Sequence, residues 1–132
     1  MTKMQENVAA CAPLPSQYAA IAAYSGAFDY TYINKEYENR RNLVYSRINA
    51  IPVLHPIFPE ATFYCFVDVS ETGLNSEEFA YKLLEKHHVA VVPGVAYGEK
   101  YNNYVRIAFT LKQELLEEAM NRLESFIDSL KV

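Results

Sequence analysis

Tryptophan is absent from the 132 residues, and the two cysteines, Cys11 and Cys65, lie far apart in different kinds of segment. No Cys-x-x-Cys pair exists, so neither a dithiol redox motif nor a zinc-ligand spacing is offered. The four glycines form no Gly-x-Gly-x-x-Gly or P-loop pattern, which leaves out a nucleotide fingerprint. No apolar run approaches the ~20 residues of a membrane-spanning helix, so no membrane is expected. Positive charge is thin as well. The formal net charge is −4, and the one adjacent basic pair, Arg40-Arg41, has Glu36 and Glu38 beside it, so no nucleic-acid partner is expected. Val8-Ala9-Ala10-Cys11 has the outline of a lipoprotein cleavage box, but Glu6 and Asn7 stand where its apolar stretch should be. A cytoplasmic protein with reduced thiols is the expectation.

What is present suits one soluble domain with a core: 51% of the residues are hydrophobic, 21% are charged, and eleven are tyrosine. Residues 1 to 15, broken by Pro13 and Pro15, read as an irregular lead-in. Ser16 then caps a short alanine-rich helix, "SQYAAIAAYSG", closed by Gly26; its small apolar residues call for a large packing partner. Ile33, Tyr37, Val44, Ile48 and Ile51 recur at helical spacing and predict a long amphipathic helix over 31–51, ended by Pro52. The β-branched and aromatic run at 62–70 predicts a strand, followed by a turn at 72–75. Ser76, with Glu77 and Glu78 behind it, caps a helix running to about His87. Short strands follow at 89–92 and 104–109, separated by a loop opening on Pro93-Gly94. Thr110 and Gln113 fit a capping box for a last helix, whose apolar face is Leu115, Leu116, Ala119, Met120, Leu123, Phe126, Ile127 and Leu130. The expected fold is α/β of the α+β two-layer kind. It has a small mixed or antiparallel sheet of about three to four strands with helices packed on it.

One residue breaks the pattern. Arg106 sits between Val105 and Ile107 in an otherwise apolar strand, and a buried guanidinium must be paired. The readings open are structural, a partner carboxylate such as Asp68 on a neighbouring strand or a side chain on an exposed edge, and functional, a ligand carboxylate held in the bidentate geometry that guanidinium favours. Gly94 and Gly98 bracket the preceding loop and permit close backbone approach, a weak signal alone. His87-His88 suits the negative end of its helix better than a metal, whose ligands recur at i, i+4. His55, flanked by prolines, reads as a surface loop residue, and no lysine follows a serine.

Taken together, "VAVVPGVAYG", "YVRIAFT" and the closing amphipathic helix resemble the C-terminal part of class I/II aminotransferases, pyridoxal-phosphate enzymes of the aspartate aminotransferase fold. Upstream, "SQYAAIAAY", "YENRRNLVYSRI" and "PEATFYCFVDVS" are similar to that family's alanine-rich helix, the helix into its small domain, and its Pro-x-Gly-x-Phe-Tyr strand. Ala61 departs from the pattern where glycine is usual, which puts a turn of positive φ in doubt.

The resemblance implies residues 1–30 as a remnant of the large domain and 31–132 as the small domain. It implies that Arg106 binds the α-carboxylate of an amino acid or 2-oxo acid, and that Pro93, Gly94, Tyr97 and Gly98 shape the active-site wall. It further implies that the Schiff-base lysine and most of the cofactor site belong to sequence preceding Met1. Pyridoxal phosphate is therefore expected in the full-length family, and none for this chain alone, which should not transaminate. A homo-oligomer, or a missing N-terminal half, is the expected partner. Two other readings stand beside this one: a standalone carboxylate-binding module, and a subunit complementing a separately encoded N-terminal half.

Overall fold

A computed structural model of the chain describes residues 2–9, 11–26 and 28–130. Two compact units result, Met1–Tyr32 and Ile33–Val132.

In the first unit the lead-in is helical rather than irregular. Helix α1 spans Thr2–Val8, and α2 spans Leu14–Ser25. The prolines start α2 instead of breaking the chain. Pro13 is its N-cap and Pro15 falls in the first turn, where an amide has no intrahelical partner to lose. Ser16 therefore lies inside the helix, and no side chain caps it. Gly26 closes α2 as expected, its amide donating to the Ala22 carbonyl at 3.0 Å. No described residue of α1 or α2 is buried, and Tyr18, Ile21 and Tyr24 all stand exposed. At the start of α3 (Thr31–Asn49), Asp29 accepts from the Thr31 amide at 2.9 Å. The Thr31 hydroxyl first, and its amide second, hold the Asp29 carboxyl below its ordinary range.

The second unit is a two-layer α+β structure. Its four strands are β1 (His55–Ile57), β2 (Tyr64–Asp68), β3 (Val92–Pro93) and β4 (Tyr104–Ala108), and its later helices are α4 (Ser76–His87) and α5 (Gln113–Ser129). The sheet order is β1-β2-β4-β3, with every pair antiparallel. Strand β1 falls where a loop was expected. Three residues containing Pro56 carry no strand periodicity, yet an edge strand tolerates proline because it needs hydrogen bonds on one side only. The other edge, β3, also carries a proline, Pro93, and is shorter than the expected 89–92.

Alternation along the central strands fixes the core. Cys65 and Val67 of β2 and Val105 and Ile107 of β4 face the helices and are nearly or fully buried. Against them pack Val44 and Ile48 of α3, Phe79 and Leu83 of α4, and Leu116, Met120, Leu123, Phe126 and Ile127 of α5. Each such side chain contributes about 2 kcal/mol by leaving water. Phe79 and Phe126 meet edge to face at 5.2 Å. Two residues placed on apolar faces by spacing, Ile33 and Leu115, lie at helix starts and stay exposed.

Three local expectations shift by a residue or more. The N-cap of α4 is Asn75, whose side chain accepts from the Glu77 and Glu78 amides while Glu78 accepts from the Asn75 amide. Helix α5 begins after Lys112 with no side-chain cap; Gln113 instead donates to Glu117 at 3.2 Å. Before β2, the positive φ falls on Thr62 (68°) rather than Ala61.

Candidate carboxylate site on the outer face of the sheet

The residue that places Val105 and Ile107 inside places Arg106 outside, because neighbours on a strand point to opposite faces. Arg106 lies opposite Phe66 of β2 on one side and Val92 of β3 on the other. Tyr64, Phe66 and Asp68 share its face with Tyr104, so the helix-free side of the sheet is an aromatic surface with one cation in it. The Arg106 Cζ lies 4.1 Å from the centroid of the Tyr64 ring and 5.3 Å from that of Tyr97. Phe66 stacks on Tyr104 at 5.0 Å, with ring planes 3° apart, and receives Tyr101 edge-on at 5.7 Å.

The expected structural partner is not used. Asp68 pairs in register with Tyr104, and its Oδ1 accepts from the Ser70 amide at 2.9 Å. Among the described residues Arg106 enters no ion pair. Its Nε is fully buried and has no hydrogen-bond partner. Leaving such a donor unsatisfied costs about 1–3 kcal/mol, which the flanking ring faces offset only in part. A planar cation held between rings, with donor capacity to spare, can take a carboxylate in a bidentate pair.

The loop from β3 to β4 makes one wall. Pro93 ends β3, and two 3-10 turns follow, Gly94–Tyr97 and Glu99–Tyr101. Gly94 is buried against the carbonyl oxygens of Tyr101 and Tyr104; an added Cβ would come within 2.6 Å of the latter. Gly98 has φ 126° and ψ 151°, a conformation open essentially to glycine alone. Between them stands Tyr97, largely exposed, over the guanidinium.

The other candidates take structural parts. The His87 ring meets Phe126 edge-on at 5.5 Å, and His88 ends α4 in the left-handed conformation with φ 57°. His55 Nε2 lies 2.8 Å from Glu71 Oε1 at the surface. No three His, Cys, Asp or Glu side chains among the described residues could hold a metal. Cys11 is exposed, whereas burial pushes the Cys65 thiol up to about 11. Of the aromatic residues around Arg106, Tyr97 was named in sequence, whereas Tyr64, Phe66 and Tyr104 were not singled out, although the alternation of Tyr64, Phe66 and Asp68 with Cys65, Val67 and Val69 carries the signal.

Residues 1–123 match the aminotransferase class I and II family. The chain belongs to that family. This aminotransferase chain is 37% identical over its whole length to aromatic-amino-acid aminotransferase 2 of Thermococcus litoralis, of which it covers 34%. It is 38% identical, again over its whole length, to aspartate aminotransferase of Pyrococcus abyssi, covering 34% of that protein. It thus spans about a third of the length of these relatives. Among solved structures, 98% of it superposes on aromatic aminotransferase from Pyrococcus horikoshii OT3 with a TM-score of 0.87 at 38% identity, covering 35% of that chain. A PLP-bound structure from Clostridium difficile 630 matches 70% of it at TM-score 0.66 and 32% identity, with 24% of that chain covered.

Pyridoxal phosphate needs a lysine positioned with an acidic partner and a phosphate cradle. The lysines among the described residues do not fit that demand: Lys3, Lys35, Lys86, Lys100 and Lys112 are exposed, and Lys82 is half-buried on α4. None faces the guanidinium in a cavity. The described residues around Arg106 therefore lack the lysine that would fit the cofactor, while the guanidinium and its flanking rings have the chemistry to accept a carboxylate.

Proposed function

We propose that this chain is the carboxylate-binding portion of a pyridoxal-phosphate aminotransferase acting on an amino acid and 2-oxo acid pair. Residues 31–132 are read as the small domain and residues 1–30 as belonging to the large domain. One observation carries the reading: the Arg106 guanidinium, flanked by the Tyr64 and Tyr97 rings, keeps a buried Nε with no partner. In this reading Arg106 holds the substrate's α-carboxylate, and the rings fix the plane of the guanidinium so that little freedom is lost on binding. Pro93, Gly94, Tyr97 and Gly98 set the wall against which the substrate lies. Proton transfer and the electron sink belong to groups outside this face, so the chain alone orients a carboxylate and does not transaminate. A cytoplasmic, oligomeric enzyme goes with the same reading.

The test is a titration of the chain with phenylpyruvate, and with its methyl ester, followed by NMR. The acid should shift the resonances of Tyr64, Tyr97 and Arg106 saturably. Its ester should bind at least about tenfold more weakly, since a charged pair is replaced by a neutral contact, and Arg106→Met should bind neither. Equal binding of acid and ester, or acid binding that survives Arg106→Met, would remove the assignment.

A further inference from the structure

Ser76 is the one buried polar residue in the described core, fully shielded from solvent at the first position of α4. Its hydroxyl is not a helix cap, since Asn75 performs that task. Instead, Ser76 Oγ donates to Asn102 Oδ1 at 2.9 Å and accepts from the Val95 amide at 3.4 Å. Val95 and Asn102 lie at the two ends of the double 3-10 loop whose tip is Tyr97. The Ser76 amide adds a bond to the Asn102 carbonyl at 2.7 Å, and Val69 donates to the Asn103 carbonyl at 2.8 Å. At the Val95 end, Val92 and Pro93 pair with β4 and Gly94 packs on the Tyr101 and Tyr104 carbonyls, but the tie to α4 is made by a side chain. There, the Ser76 hydroxyl is the side-chain contact, and the segment it holds carries Tyr97 to its place over Arg106.

We propose that Ser76 is a positioning residue for Arg106: its hydroxyl ties both ends of the 94–103 loop to α4 and so sets Tyr97 against the guanidinium. The chain of contacts runs from Ser76 to Val95 and Asn102, from these to Tyr97, and from Tyr97 to Arg106. Removing the hydroxyl leaves the Val95 amide and the Asn102 side-chain oxygen, both on half-buried residues, short of one bond each, and the loop relaxes to find other partners. The backbone bond from Ser76 to Asn102 survives, so the Asn102 end keeps its tie to α4 while Val95, in the same 3-10 turn as Tyr97, loses its own. This inference rests on the carboxylate reading for its consequence in binding, but not for its structural content.

The experiment uses the full 132-residue chain, labelled with nitrogen-15, and follows the Arg106 Nε–H resonance, identified by its loss in Arg106→Lys. In the parent chain that proton should be shifted by the flanking rings and exchange slowly with water, since the Nε is buried between them. Ser76→Ala should move it toward the unperturbed position, speed its exchange roughly tenfold, and weaken binding of 3-phenylpropionate by a similar factor. Asn102→Ala should act in the same direction, and it serves alone if Ser76→Ala does not fold. Glu78→Ala breaks the reciprocal cap of α4 without touching the loop, and should leave the Arg106 signal in place. If Ser76→Ala and Asn102→Ala leave that signal unmoved, or Glu78→Ala moves it equally, the inference falls. If the signal responds to Ser76 while 3-phenylpropionate binds away from Arg106, the link stands and the carboxylate reading falls instead.

Discussion

The two faces of the central strands are built from the same ten residues in one register, yet they differ in kind. The inner face presents Cys65, Val67, Val105 and Ile107, and its one buried hydroxyl neighbour, Ser76, has its hydrogen bonds made. The outer face presents Tyr64, Phe66, Asp68, Tyr104 and Arg106, half-buried, with a cation whose Nε has none. Stability is concentrated on the first face. The second face holds the buried Arg106 Nε without a partner, and the proposed carboxylate binding is assigned there.

Exchanging properties between the faces should break this division, and the largest effect is expected inside. Val67→Arg puts a guanidinium among aliphatic side chains with no carboxylate near, and should cost about 4 kcal/mol or more, enough to unfold a marginal domain. Urea unfolding followed by circular dichroism would show it; a loss under about 1 kcal/mol would mean the core is looser than its burial implies.

A smaller effect comes from pH. The Cys65 thiol is pushed from 9.0 up to about 11 by burial, so the unfolded chain releases this proton first as pH rises. The contribution is complete below pH 9 and is lost as pH climbs through about 11. Relative to Cys65→Ala, the parent chain should lose on the order of 2 kcal/mol across that window. The same burial predicts that iodoacetamide labels exposed Cys11 at least roughly 100-fold faster than Cys65 in the folded chain. Equal rates, read by mass spectrometry, would contradict the closed inner face.

The smallest effect on stability is expected outside. Arg106→Met removes an unsatisfied donor and keeps much of the side-chain volume against Tyr64, so the unfolding free energy should change by less than about 1 kcal/mol in either direction. A loss as large as that of Val67→Arg would show that Arg106 is structural and has no role left for a ligand.

Much of this was legible in sequence. The α+β order, the central strands, the broad apolar face of α5 and the singularity of Arg106 all follow from periodicity and composition. What escaped has identifiable causes. Three helix starts were misplaced: Asn75 takes the cap from Ser76 through side-chain hydrogen bonds, while α2 starts from Pro13 rather than Ser16 and α5 from Lys112 rather than Thr110, with no side-chain cap at all. Strand β1 was hidden because proline suppresses a strand signal without forbidding an edge. The expectation of Asp68 as partner failed although Asp68 shares the face of Arg106: its Oδ1 takes the Ser70 amide, and the guanidinium lies over Tyr64, on the opposite side of Phe66. Register depends on the turns and on the hydrophobic face together, and neither is visible in the strand itself.

Both margins of the sheet end in a proline-bearing strand, Pro56 in β1 and Pro93 in β3. A strand margin is where a sheet can template the addition of foreign chains, and a residue with no amide hydrogen interrupts the ladder such a chain would need. With three residues on one margin and two on the other, neither offers the uninterrupted row that fibril growth extends. The prolines that obscured these strands in the sequence are therefore a safeguard against self-templated aggregation, built into the places where the sheet stops.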